Sequence, residues 1–516
     1  MKTLFLLLMA IFSFAEAREL KIFLLTGQSN SLGAVKGDPA SPELLKKYEP
    51  KATLYWHENF SSGGGVFPGA SRSWGKVAPA MPRYNGNLTM GPEYGFAFAL
   101  EKNGWFKDAD VAIVKASRDG GDNANWMKDG QAYKILVQTV KNACAAMDKG
   151  KYSKITFAGL LYMQGESNKS DAVPETAPRL LELLKNLAVD LKSCGDVSAL
   201  AGQRVIVGEH ANWGTDNETD AETGNVTGAL QGRDTEAKGT SSWKIMRELT
   251  ASRPGMGYAP SRDLPKIVPG DGMKVHYNGK AQISLGARFA YEAARLEGRD
   301  AGAVRSGRYD VPLNAPEAWM NRKAPGRSVC VWNVASSTKP DVVNGVVKLF
   351  GIHVEDPAVG TVILASGFKA GDRLVLGPGG IRVDEGGNLL LKCSLQLAGR
   401  QVWSLAGGSS VTLTSNVPAL LGGEPLPSEL SGQAGVQIIR SGSEGTARVV
   451  IRDVRAAASL KCTWVLEDGV EMSLEGVNGQ SVNFGKITVK KGAVLNLNGL
   501  KPAFGSVVKA GGTINP

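Results

Sequence analysis

Four stretches within the first 300 residues carry side chains suited to nucleophilic chemistry. The first is Leu24-Leu25-Thr26-Gly27-Gln28-Ser29-Asn30-Ser31. It follows an apolar run, Leu20 to Leu25, that reads as a buried strand broken by Gly27. Ser29 then stands at the carboxyl end of a strand, where open α/β sheets place their ligands. A strand-to-turn corner exposes a hydroxyl and turns nearby backbone N–H groups toward it. A serine nucleophile needs both, because its attack on a carbonyl creates an oxyanion that must be held. The competing role for Ser29 is a helix cap.

The second stretch is Ser117-Arg118-Asp119-Gly120-Gly121-Asp122, directly after a predicted strand at Val111 to Ala116, with Trp126 shortly beyond. A glycine pair at a strand end lets backbone N–H groups come close to a ligand. The third, Gln164-Gly165-Glu166-Ser167-Asn168, follows a predicted strand at Ile155 to Met163. The fourth runs from Asp271 to Gly279 and holds His276, just before a final helix. A histidine there can take a serine's proton and return it to a leaving group.

The elements that must position these residues follow one pattern. Strands at Val111 to Ala116, Ile155 to Met163 and Arg204 to Gly208 alternate with helices at Tyr133 to Met147, Pro174 to Cys194 and Lys280 to Leu296. Strand–helix alternation predicts a parallel sheet covered on both faces, an α/β domain over residues 18–298. Residues 299–328 are rich in Gly, Pro, Arg and Ala and read as a linker. From 329 to 516 helical periodicity disappears. Short alternating strands such as Asp372 to Leu376, Asn388 to Lys392, Ser410 to Thr414 and Gly492 to Leu497 lie between glycines. This predicts an all-β domain, a sandwich or a solenoid, with no strict repeat period to decide between them. His353 reads there as a structural or solvated residue.

Composition narrows the setting. The 516 residues suffice for two to four domains at roughly 150 residues each. Residues 1–17 read as a secretory signal: Lys2, an apolar core from Leu4 to Phe14, then Ala15-Glu16-Ala17 as the cleavage site. That places the mature protein outside the cell, in the periplasm or at the cell surface. No apolar run is long enough to span a bilayer. The five cysteines have no CxxC or Cys/His cluster, so no metal site is expected. Cys144 and Cys194 either pair or stand as two buried thiols. The net charge of +10 is not gathered into a dense Lys/Arg block, which argues against nucleic acid as a partner.

The motifs resemble those of the SGNH-hydrolase superfamily, in its sialate O-acetylesterase-like branch, which includes acetylxylan esterases. The matching residues are GQSN at Gly27 to Asn30, GPEYGFA at Gly91 to Ala97, the pair Gly120 and Gly121, QGES at Gln164 to Ser167, and the late His276. The resemblance covers about residues 18–298. It implies a three-layer α/β/α fold and a cofactor-free esterase removing O-acetyl groups from carbohydrate, with sialic acid as substrate and acetylated xylan or another glycan as the alternative. Ser29 would be the nucleophile and His276 the base. The oxyanion hole would comprise the N–H groups of Ser29 and Gly120, or Gly121 in its place, with the Gln164 amide.

Glu166 resembles a structural glutamate and, with Asn30, supports the site. Arg118 and Trp126 are substrate-binding candidates, Arg118 for an anionic substrate or a surface role, Trp126 for a sugar platform or the core. The acid departs from the family pattern: Met273 stands three residues before His276, where Asp is expected. Asp271 is the first choice, Asp263 the second, and a dyad the alternative. That departure also motivates a rival class, an inactive glycan-binding or surface-structural protein. The β-rich half would bind glycan or cell surface.

Overall fold

The opening strand, Glu19–Gly27, sends alternate side chains to opposite sides. Leu20, Ile22 and Leu24 enter one buried cluster, whereas Phe23 and Leu25 enter another. A strand buried on both faces belongs at the centre of a layered sheet. In the computed structural model it lies there, between Ala109–Ser117 and Lys154–Met163, parallel to both. The structure describes the chain outside residues 1–17, 34–49, 57–72, 78–80, 85–86, 119, 169–170, 211–241, 262–263, 265–275, 307–310, 322, 334–339, 356–359, 367–370, 415–434, 443, 455–461, 477–480, 483–484 and 503–506.

The seven-stranded sheet runs Gly75–Lys76, Thr53–Trp56, Ala109–Ser117, Glu19–Gly27, Lys154–Met163, Val205–Gly208, Met256–Ala259. All neighbours are parallel except the short Gly75–Lys76 edge. Helices Pro92–Lys102 and Gly279–Leu296 contribute to the cluster on one face. Helices Gln131–Ala145 and Thr176–Asp190 cover the other. This is the expected three-layer α/β/α arrangement. The chain leaves the central strand on one side, returns, and continues on the other. That reversal puts the switch point at the end of Glu19–Gly27, beside Ser29.

The C-terminal half resolves the choice between sandwich and solenoid. Successive strands alternate between two sheets, and nearly every one lies parallel to the strand one coil earlier. This is a parallel β-solenoid. One inward ladder stacks Val362, Leu389, Val411, Val449, Met472 and Leu495, all buried. The spacing between these partners is uneven, so no fixed repeat shows in the sequence.

The reading of 299–328 as a linker is corrected. Ala303–Val304 forms the first rung beside Val329–Trp332, and Leu313, Ala318 and Trp319 sit in the solenoid core. Gly and Pro there serve turns within a packed cap. The two halves also share buried polar contacts. Arg288 Nε donates to Asn333 Oδ1 at 3.0 Å, and Tyr291 Oη donates to Glu355 Oε1 at 2.9 Å. Lys102 Nζ lies 2.5 Å from Asp384 Oδ2, which His353 Nε2 approaches at 3.0 Å.

Cys144 and Cys194 stand as neighbouring buried thiols; burial first, then Cys194, push the Cys144 thiol up to about 12. No described helix is long and apolar enough to cross a membrane.

Candidate active site

Three strand ends meet at Ser29. Gly27 ends the central strand at φ +145°, and a Cβ there would lie 1.8 Å from the carbonyl oxygen of Met163. Only glycine allows so close an approach. The adjoining strands keep the corner in register: Gln28 N donates to Met163 O at 2.8 Å and Arg118 N to Gly27 O at 2.9 Å. Ser29 opens a four-residue helix, Ser29–Leu32, and is itself buried, at 7% exposure. The cap position belongs to Gln28, so Ser29 does not serve as the helix cap.

The GQSN and QGES motifs are stitched together. Gln28 Oε1 accepts from the N–H groups of Gly165 and Ser167, at 2.8 and 3.3 Å. Gln28 Nε2 donates to Ser167 Oγ at 2.6 Å. Asn30 Nδ2 donates to Glu166 Oε1 at 2.9 Å. Glu166 therefore holds the Ser29 turn.

The same Asn30 reaches the histidine loop. Its Oδ1 accepts from the N–H of Tyr277 at 3.1 Å, and its backbone oxygen accepts from Gln282 Nε2 at 3.1 Å. Tyr277 is further tied by a 2.5 Å contact between its hydroxyl and Ser261 Oγ. Asn278 caps helix Gly279–Leu296 by accepting from Ala281 N–H. His276, half-buried, is thus held one residue before the Asn30 contact. Asp271 and Asp263 lie outside the described residues.

The glycine turn and the glutamine also come together. Gly120 and Gly121 both adopt positive φ, 63° and 101°. Gln164 Nε2 lies 3.5 Å from Gly121 O. Its shorter bond, 2.6 Å, goes to Asn168 Oδ1. Asn168 in turn accepts from Asn123 N–H and donates to Ser242 Oγ, making it a hub where the sequence showed only the end of a motif. A buried amide joining three segments leaves no local spacing signal.

Arg118 and Trp126 part company. Arg118 Nε and Nη1 are buried with no hydrogen-bond partner among the described residues. Trp126, considered as a sugar platform, is corrected: it is wholly buried, its Nε1 donates to Thr26 Oγ1 at 3.1 Å, and its ring meets Tyr162 edge-on. No face is open to a sugar. Of the two roles open to it in the sequence, the core one holds.

A parallel α/β/α sheet with a serine turn at its switch point, stitched to a glutamine loop and a late histidine loop, defines an SGNH-type esterase domain. Residues 19–295 match the family described as carbohydrate esterase, sialic acid-specific acetylesterase, and the chain belongs to that family. It is a carbohydrate O-acetylesterase. No curated protein matches the chain.

Among solved structures, an Arabidopsis thaliana protein is 17% identical, with a TM-score of 0.35 over 53% of this chain and 98% of its own. NanS is 14% identical, with a TM-score of 0.37 over 55% and 99%. A carbohydrate acetylesterase from Xanthomonas citri is 15% identical, with a TM-score of 0.35 over 55% and 58%.

Proposed function

We propose that this chain is a secreted serine esterase that removes O-acetyl groups from sialic acids. Ser29 Oγ attacks the acetyl carbonyl while His276 takes its proton. The oxyanion is met by the N–H groups of Ser29 and Gly120, with the Gln164 amide turning from Asn168 to join them. His276 then gives that proton to the sugar oxygen as the C–O bond breaks, so that the sugar leaves as its alcohol. Water, deprotonated by the same histidine, releases acetate from the acetyl-enzyme. Asp271 orients the ring. The observation that carries this reading is Asn30, bonded at once to Glu166 and to the residue after His276.

The choice of an anionic sugar rests on Arg118. Two of its three guanidinium nitrogens, Nε and Nη1, are buried with no partner among the described residues, and that is costly. A sialic acid carboxylate answers that need with a paired fork of hydrogen bonds. Acetylated xylan, which is neutral there, does not. Hydrogen bonds to charged groups are worth about 1.5–3 kcal/mol, roughly a 10- to 100-fold preference. The solenoid supplies a polar groove, lined by Arg400, Gln437, Thr463, Glu467 and Lys490, suited to holding glycan or a cell surface.

The test is acetate release from O-acetylated N-acetylneuraminic acid, its methyl ester and acetylated xylo-oligosaccharide. The free acid should be preferred over its methyl ester by that factor, and Arg118→Gln should abolish the preference. Equal rates on all three in the wild type would exclude sialic acid specificity. Ser29→Ala should lose several orders of magnitude on every substrate. If the purified enzyme released no acetate, the glycan-binding alternative would stand. Amino-terminal sequencing of exported protein tests cleavage after Ala17.

A further inference from the structure

Lys115 is out of character for its position. It lies within the apolar strand Ala109–Ser117, directly beside the strand that leads to Ser29 and opposite Leu25, and is 1% exposed. Lysines are almost never buried so completely unless paired. Its ammonium lies 2.6 Å from Glu93 Oε2 and donates to the carbonyl oxygen of Leu32 at 2.9 Å. Leu32 is the last residue of the helix that Ser29 opens. The final carbonyls of a helix have no partner within it, so Lys115 supplies one from the neighbouring strand.

The GPEYGFA stretch provides the other half. Glu93 sits in the first turn of helix Pro92–Lys102, where a negative charge is favoured by the helix dipole. A Cβ at Gly91 would lie 2.3 Å from Glu93 Oε2 and 2.5 Å from Lys115 Nζ, so glycine makes room for the pair. Glu93, too, is 1% exposed. The proposed chemistry uses neither charge.

We propose that Lys115 is a positioning residue for the nucleophile: it anchors the far end of the Ser29 helix through Leu32, while Glu93 keeps its charge buried and paired. Asn30 fixes the near end, Lys115 the far end. With both ends tied, the Ser29 hydroxyl and N–H keep the geometry that attack and oxyanion binding need. Misplacement by about 1 Å can cost on the order of 100-fold in rate. The inference rests on Ser29 being the nucleophile.

Two variants separate anchoring from general stability. Lys115→Met combined with Glu93→Gln removes the pair without stranding a charge, and such replacements are often tolerated. The doubly substituted enzyme is expected to melt near the wild type, with kcat on a small acetate ester lowered 10- to 100-fold and KM little changed. Glu93→Gln alone keeps the Lys115 bond to Leu32. It is expected to melt earlier yet hold kcat within about threefold.

Recovery of wild-type kcat in the double variant would overturn the proposal. So would a kcat loss in Glu93→Gln matching that of the double variant, and this second arm decides the matter if the double variant does not fold. Ser29→Ala, assayed alongside, keeps the two readings apart: an active Ser29→Ala enzyme removes the nucleophile assignment, whatever Lys115 does.

Discussion

Asn30 Oδ1 accepts a hydrogen bond from the backbone N–H of Tyr277 across 3.1 Å. That bond joins the residue after Ser29 to the residue after His276, although the two lie 247 positions apart in sequence. The amide nitrogen of the same side chain is committed to Glu166. Asparagine suits the place because one planar group both accepts and donates.

Asn30→Asp removes the donor and sets a second carboxylate against Glu166. Asn30→Ala removes both bonds. Each is expected to lower kcat on an acetate ester about 100-fold, by loosening the serine from the histidine loop, with a smaller change in KM. Steady-state kinetics on both variants checks this. Wild-type kcat in Asn30→Ala would show that the two loops hold their places without it.

Asp271 is expected to orient His276, so Asp271→Asn should cost two to four orders of magnitude, by analogy with other triads. Asp263→Asn should cost little. If Asp271 only shapes its turn beside Gly272, asparagine makes the same turn and the change is silent. A silent Asp271→Asn beside a dead His276→Ala would identify a dyad.

A chain ending near residue 300 should be impaired. The four motif stretches precede that point, yet Arg288 and Tyr291, both buried, would lose Asn333 and Glu355. Removing Asn333 and Glu355 breaks both hydrogen bonds and uncovers the buried face that Arg288 and Tyr291 occupy, which costs stability. The shortened chain is therefore expected to be poorly soluble or to melt well below the full-length protein. Thermal unfolding of the two forms measures it, and equal melting points would show that the esterase folds independently.

Asp384 links the halves in a pH-dependent way. Burial pushes its carboxyl up, but the His353 hydrogen bond and the charges of His353, Lys102 and Arg382 outweigh this and hold it well below the usual range. A depressed carboxylate stabilises the fold fully above its unfolded value, about 3.9, and loses that contribution as pH falls further. Asp384→Asn should therefore lower the melting temperature at pH 7, and the gap to wild type should narrow below about pH 4. A gap that is constant with pH would deny the carboxylate this role.

Much of the catalytic half was legible because its signals are local. Apolar runs ending in glycine marked the strands, and the leucines of Thr176–Asp190 marked a helix. Helix Pro92–Lys102 escaped because Pro92 to Leu100 are all buried, leaving no polar face to set a period. Solenoid and sandwich share the same alternation, and only the parallel pairing of strands separates them. At the site, motif order singled out Ser29, Glu166 and His276, and the structure links their loops through Asn30. Asn168 was legible only as the end of its motif, and the Lys115–Glu93 pair did not show, because Asn168 draws on Asn123 and Ser242, 45 and 74 positions away, and the pair spans 22. Lys115 was visible only as one charge in an apolar strand.

The first solenoid rung, Ala303–Val304, follows directly on the last esterase helix, and each later coil pairs with the one before it. Repeat stacks need a cap at each end, since an open rung exposes unpaired backbone. Here the catalytic domain is the cap at the starting end. Tyr291 and Ala294 of its last helix pack against Ala301, Val304 and Val331, so the first coil is laid on a finished surface. Reversing the two halves in a permuted gene would leave the first coils to form with no surface to build on, and aggregation through their open edge would compete with folding from the outset.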